Sequence, residues 1–353
     1  SSAAPPLRRP AIPVHRRLFC LNMDTREVIA FYKQQFGHTP TRVAQSPGRL
    51  ELLGNHTDYN EGLVLSLAVD RYIWMAGSPR RDGKIELAST AFPERETFSL
   101  TWIEKNPAAP WADYVKGVLV QLQKRRVPFG GFNAAVHGSL PLGAGMSSSA
   151  ALEVSTALLV RKLYPFTLTA TGTTLPPEPN DEGNIPLPGR AEKLALAKLC
   201  QAAENQFVGV RCGLLDQIST LFGRAFHATE IDFQSLAVET VPMVGEVAIV
   251  VCNTGVKHAL VGGEYNALRQ LCESAAAKLG AKFLRSVDPQ RLAANREKLT
   301  DREYACASHI VGENQRVVFG ARALRDGDFA QFGQYMFQSH ESSRHDFLNS
   351  APE

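Results

Sequence analysis

Pro141-Leu-Gly-Ala-Gly-Met-Ser-Ser-Ser-Ala-Ala151 is a Gly- and Ser-rich turn between an alternating strand, Phe132-Asn-Ala-Ala-Val-His-Gly-Ser139, and an apolar helical run from 152 to 160. A strand that feeds such a turn and then a helix can cradle a phosphate. Gly143 and Gly145 let the main chain approach an anion, and a helix beginning near Ser147 points its positive end at it. The hydroxyls of Ser147, Ser148 and Ser149 add donors or a magnesium ligand. The stretch is not GxxxxGK[ST], because no lysine follows. An ordinary tight turn with a Ser-rich cap accounts for the same residues equally well, so the rest of the chain has to decide.

Upstream, Tyr114, Val115, Val118, Leu119 and Leu122 repeat at helical spacing within 112–126. Farther back, residues 41–70 read as two strands around a polar, Gly-containing connection at Gly54 to Gly62. That connection packs Arg49, Asn55, His56, Asp58 and Asn60 beside glycines, the density of donors and acceptors that a polyol requires. Asx turns at a hairpin tip explain the Asn, Asp and Gly without a ligand, but not Arg49 or His56. The amphipathic stretch after Met23, with Val28, Ile29, Phe31, Tyr32 and Phe36 near one stripe, opens the folded part. Residues 1–22, with four arginines, four prolines and no acidic residue, read as a disordered or linker segment.

Downstream, six prolines and little periodicity mark 165–190 as a surface insertion. A helix is expected from about Ala191 to Gly209, followed by Cys-Gly-Leu-Leu-Asp-Gln (212–217) with Asp216 in the first turn of a further helix. An Asp there compensates the helix dipole far more often than it catalyses. Strands near 225–233 and 246–252 and a helix over 263–280 complete the pattern. With strands over the first two thirds and helices over the last third, the fold class is α+β in two domains.

The bulk chemistry excludes several roles. A formal net charge of +3 from 38 basic and 35 acidic side chains builds no field that demands nucleic acid. No apolar run nears the roughly 20 residues that cross a bilayer. The six cysteines (Cys20, Cys200, Cys212, Cys252, Cys272, Cys306) form no CxxC pair and fit reduced thiols, so a cytoplasmic setting is expected, with no membrane partner.

Taken together, PGRLELLGNHTDYNEG (47–62), PLGAGMSSSAA (141–151), AENQFVGVRCGLLDQ (203–217) and NTGVKHALVGGEYNALRQLCE (253–273) resemble the galactokinase branch of the GHMP small-molecule kinases, in order and spacing from about Phe31 to Glu353. The phosphate motif is shared by all GHMP kinases, whereas the HTDYN and GEYNALR blocks narrow the resemblance to sugar kinases. It implies a GHMP kinase-like two-domain fold, ribosomal-S5-like over 23–220 and ferredoxin-like over 221–353. It implies a monomer that takes a small sugar and ATP, with Mg²⁺. Residue by residue, it implies that Asp216 accepts the proton of the anomeric hydroxyl of galactose, with Arg49 as its orienting and charge-stabilising partner. Asn55, His56, Asp58, Gly213 and Tyr265 fall where the family holds the sugar. Pro141, Gly143, Ala144, Gly145, Met146, Ser147, Ser148, Ser149 and Ala150 fall on the ATP phosphates, and Ser149 and Glu204 on the metal.

Two departures qualify the resemblance. Most members carry Glu where this chain has Asn55, which removes a charge that would repel a carboxylated sugar such as galacturonate. The chain also ends before the family's last Gly-rich motif, so the second domain is expected to be incomplete and its core partly exposed. Some relatives act as non-catalytic sugar sensors that lose residues in the phosphate-loop serines. Here that run is uninterrupted, which favours an enzyme.

Overall fold

The computed structural model describes residues 23–141, 143–174, 176–180, 183–210, 212–245, 247–252 and 263–350. In chain order, α1 (Met23–Phe36) leads to β1 (Arg42–Leu53), β2 (Leu63–Pro79), β3 (Lys84–Ser89) and β4 (Glu96–Ser99). Next come α2 (Ala112–Lys124), β5 (Phe132–Gly138) and α3 (Ser148–Leu163). The short pair β6 (Thr167–Leu168) and β7 (Thr173–Thr174) precedes α4 (Arg190–Ala203) and α5 (Leu215–Phe222). Then follow β8 (His227–Asp232), β9 (Ala237–Pro242), α6 (Gly263–Lys278), α7 (Pro289–Ala294), α8 (Asp301–Asp326) and α9 (Phe329–Ser342).

β2 is the spine of a seven-stranded sheet ordered β4-β3-β5-β2-β8-β9, with β1 also paired to β2. Its 17 residues are buried over 63–67 and 73–78 and exposed at Asp70, Arg71 and the final Pro79. It pairs antiparallel with β1 over Arg42 to Leu53, with β5 over Ile73 to Pro79 and with β8 over Leu63 to Ser66. One face carries α2 to α5, through Val115, Val118, Leu119, Leu122, Val154 and Leu199. The opposite face is shared. At one end α1 seals Trp74, Ala76 and Ala135 with Val28 and Tyr32. At the other, Val317, Leu324 and Phe332 of α8 and α9 cover Leu53, Leu63 and Leu65. Both faces of β5 are therefore buried, Ala135 as fully as Phe132 and Ala134, so it is more than the half-buried strand its alternation predicts. Burial of a Leu or Phe side chain is worth about 1.5–3 kcal/mol, so the ends of β2 are the most firmly held part of the sheet.

Two expectations change. β8 matches the strand expected near 225–233, but its partner is β9 at 237–242, and described residues 247–252 form no strand. The apolar run there is partly exposed, with Val250 at 81%. Because β8 and β9 extend the sheet through β2, residues 227–242 share a sheet with the residues before 220. After 242 the regular elements among the described residues are helical, and their core gathers α6, α7 and α8 around Cys272, Leu284, Cys306 and Ile310. α8 begins at a reciprocal cap in which the Thr300 hydroxyl accepts from the Glu303 amide and the Glu303 carboxylate accepts from the Thr300 amide. It ends at Gly327 in the left-handed region. Its 26 residues reach from the helical core to the sheet and pass the connection between β1 and β2.

Candidate active site

The site begins with a bulged strand. β1 shifts register between Pro47 and Arg49, and a Cβ at Gly48 would lie 2.7 Å from the Met146 carbonyl oxygen, so only glycine lets β1 run this close to the Gly/Ser turn. The Arg49 amide donates to the Met146 carbonyl (3.2 Å) and its Nη1 to the Gly145 carbonyl (2.7 Å). Its Nε and Nη2 both donate to Oδ1 of Asp216, at 2.8 and 2.6 Å. Ser147, in the left-handed region at φ 54°, accepts no cap bond; its hydroxyl donates to Oδ2 of Asp216 at 2.6 Å. The Ser-rich-cap reading therefore fails for Ser147. Three segments distant in sequence, 49, 145–147 and 216, meet at one carboxylate.

The turn places Gly143 and Gly145 at φ +72° and +70° with open space beside each, so their conformation rather than close approach calls for glycine. Pro141, Ala144, Ser148 and Ser149 remain accessible around it, while Met146 and Ala150 point into the core.

The connection between β1 and β2 forms the second wall. A 3₁₀ turn at Asp58–Asn60 is tied down by the Thr57 hydroxyl against the carbonyls of Gly54 and Leu63. A Cβ at Gly213 would sit 1.5 Å from Asp58 Oδ2, so these two sugar candidates are in mutual contact. Burial, opposed by hydrogen bonding to the Tyr59 amide, pushes the Asp58 carboxyl up to about 6. His56 Nδ1 lies 2.9 Å from the Tyr59 hydroxyl, and burial, with His309 nearby, lowers the imidazole to about 3 and keeps it neutral. Asn55 is committed elsewhere: its Oδ1 accepts from Asn349 Nδ2 (2.8 Å) and Ser343 Oγ (3.3 Å). Tyr265 falls at the start of α6, but its side chain lies outside the described residues, as do 253–262.

A third group was only half legible. α4 ends in a π turn, Glu204–Val208, of the kind that gathers at functional sites. Gln217 Nε2 donates both to Glu204 Oε2 (3.1 Å) and to Glu153 Oε2 (3.2 Å), and the Cys212 thiol reaches Glu204 at 3.2 Å. Ser149 also hydrogen-bonds Glu204. Glu153, unexpected from sequence, is fully buried on α3. Desolvation pushes Glu204 up to about 7, reinforced by the Asp216 charge, and Glu153 well above the carboxylate range, reinforced by the charge of Glu204. Glu153 Oε1 and Gln217 Oε1 have no hydrogen-bond partner among the described residues. Two buried carboxylates, one with an orphaned oxygen, and a serine hydroxyl fit a hard divalent cation, whose charge offsets their desolvation. Among the described residues no three His, Cys, Asp or Glu side chains cluster as a metal site, so such an ion would draw further ligands from outside this set.

A galactokinase galactose-binding signature matches residues 30–79, and a GHMP kinases N terminal domain matches 113–177. The chain is 38% identical over 330 residues to the Homo sapiens galactokinase, covering 91% of this chain and 78% of that protein. The chain belongs to the galactokinase family. The Chloroflexus aurantiacus galactokinase is 39% identical over 329 residues, covering 92% of this chain and 78% of its own. The Lactococcus lactis galactokinase, solved in complex with galactose, superposes with a TM-score of 0.78 at 27% identity, covering 93% of this chain and 81% of that one. A heptose 1-phosphate kinase from Bacteriodes thetaiotaomicron shares the fold at TM-score 0.53 and 16% identity. The fold is thus that of the GHMP kinases, and as a galactokinase family member the chain is a sugar kinase that transfers phosphate to a hydroxyl, with ATP the co-substrate the family implies. No helix among the described residues is long and apolar enough to cross a membrane.

Proposed function

We propose that this protein transfers the γ-phosphoryl group of ATP to the anomeric hydroxyl of galactose, with Asp216 as the base and Arg49 as its partner. The observation that carries this reading is the way the Asp216 carboxylate is held. A carboxylate oxygen offers two lone pairs. On Oδ1 both are taken by Arg49, whereas Oδ2 accepts, among the described residues, only from Ser147. Oδ2 therefore keeps one lone pair for a hydroxyl proton. The sugar hydroxyl donates there, passes its proton to Oδ2 as its oxygen attacks phosphorus, and the bond to the β-phosphate oxygen breaks with ADP as leaving group. A positioned base of this kind contributes about 10²–10⁴-fold.

Arg49 uses three of its five N–H groups in place, which leaves donors toward negative charge on the transferring group. The 143–149 turn lies beside it, with α3 directing its positive end there. Ser149, Glu204 and Glu153 would hold Mg²⁺, which when bound supplies charge neutralisation to the nucleotide phosphates. Neutral His56, with Asp58 and Gly213, forms the sugar wall. The galactose bound in the Lactococcus lactis galactokinase supports the choice of sugar. Phosphorus NMR of the product tests the regiochemistry: an anomeric phosphate doublet supports the proposal, and a phosphate ester at C6 refutes it.

A further inference from the structure

One carboxylate near the reacting pair has no role in that mechanism. Glu51 follows Arg49 by two residues on β1, at a second register shift between Glu51 and Leu53. Its surroundings are Arg49, Asp58, Glu313 and Asp216, so its charge points into the site rather than to solvent. Oε1 is buried and has no hydrogen-bond partner among the described residues. Glu51 and Asn55 line one side of a cavity of about 220 Å³, faced by Met336, Ser339, His340 and Ser343. That volume is below the roughly 300–1,000 Å³ of pockets for drug-sized ligands and suits a small polar group.

An orphaned carboxylate oxygen costs desolvation that a fold does not retain without return. The Asn55 carbonyl oxygen is already saturated by Ser343 and Asn349, so it does not take up a ligand hydroxyl. Glu51 is the open acceptor on this side of the site. We propose that Glu51 is a specificity-determining residue: its carboxylate accepts a non-reacting hydroxyl of a neutral hexose and bars a sugar that carries a carboxylate. This rests on the proposed function and deepens it, because the charge missing at Asn55 is present four residues earlier on β1. Burial that pushes Glu51 up to about 7 is consistent with a group waiting for a donor.

The test is turnover and calorimetric binding of galactose and galacturonate by the full chain and by Glu51→Gln and Glu51→Asp. The wild type is expected to use galactose and to reject the uronate. Glu51→Gln is expected to raise the KM for galactose about 10- to 100-fold, the loss of a hydrogen bond to a charged group, with kcat much less affected. It is also expected to narrow the preference for galactose over galacturonate at least about tenfold. Glu51→Asp, which keeps the charge but shortens the reach, is expected to raise the KM while still excluding the uronate. Unchanged KM and unchanged discrimination in either folded variant overturn the inference. A wild type that turns over neither sugar overturns the functional reading and this inference with it, whereas an active wild type with indifferent variants overturns the inference alone.

Discussion

Gly213 and Asp58 are the tightest residue-scale constraint in the site. A methyl group at 213 would meet Asp58 Oδ2 at 1.5 Å, and a buried carboxylate has no free direction in which to move. Gly213→Ala is therefore expected to raise the KM for the sugar by on the order of 10²-fold through displacement of Asp58, measured by steady-state kinetics with a melting curve to show the fold intact. A rise below twofold would show that Asp58 does not bind the sugar. Glu51 supplies the pH prediction. Its folded pKa of about 7 lies above the ordinary value of 4.5, so between those limits the native state binds more protons than the unfolded one. Stability contributed by this group therefore falls as pH rises from about 4.5 to about 7. Glu51→Gln is expected to melt like the wild type near pH 5 and above it at pH 8, with its KM for galactose raised. A difference that does not grow with pH contradicts the burial of this carboxylate. At this scale Arg49, Asp216 and Ser149 were singled out through the family resemblance, not from local pattern alone. Glu51 and Glu153 were not, because a lone Glu on a strand or helix has no local signature. Only the fold shows that their oxygens are sealed.

Among the elements, α8 does what no local pattern predicts. Glu313, fully buried, accepts from the amides of Gly54 (2.8 Å) and Asn55 (3.2 Å) and is paired with Arg316. Asn314 Oδ1 accepts from the Leu63 amide (2.8 Å), and His309 Nε2 meets the Asn55 carbonyl at 3.1 Å. One helix thus fastens both ends of the connection that carries His56 and Asp58. Its Thr-x-x-Glu start and Gly stop are local signals that the sequence reading did not single out, and its task depends on contacts more than 250 residues apart, which periodicity cannot encode. Glu313→Ala strands two amides and Arg316, and is expected to cost about 3–5 kcal/mol in urea unfolding and to raise the sugar KM. A loss under about 1 kcal/mol would show that the loop holds itself. The strand expected at 246–252 failed for a related reason. An apolar run becomes a strand only where it pairs, and β8 takes β9 as its partner while described residues 247–252 pair with none of the described strands.

For the molecule as a whole, the site is a junction rather than a pocket in one layer. The sheet contributes Arg49 and Glu51, the helices behind it Glu153, Glu204 and Asp216, and the helical block closes over the loop through Phe347, packed against His56 and His309 at 4.7 and 4.5 Å. Val318, Phe319 and Phe337 of α8 and α9 are exposed. The α+β class and the order of motifs were legible because each motif brings its own local structure. Their convergence was legible only through family resemblance. The central claim is that this convergence makes Asp216 the base, and it is tested most directly by galactose-dependent ADP release from Mg-ATP in the wild type and in Asp216→Asn. The account predicts robust release in the wild type and a loss of about 10²–10⁴-fold in the variant, with the melting curve unchanged. A folded Asp216→Asn protein that keeps near-wild-type release would contradict it.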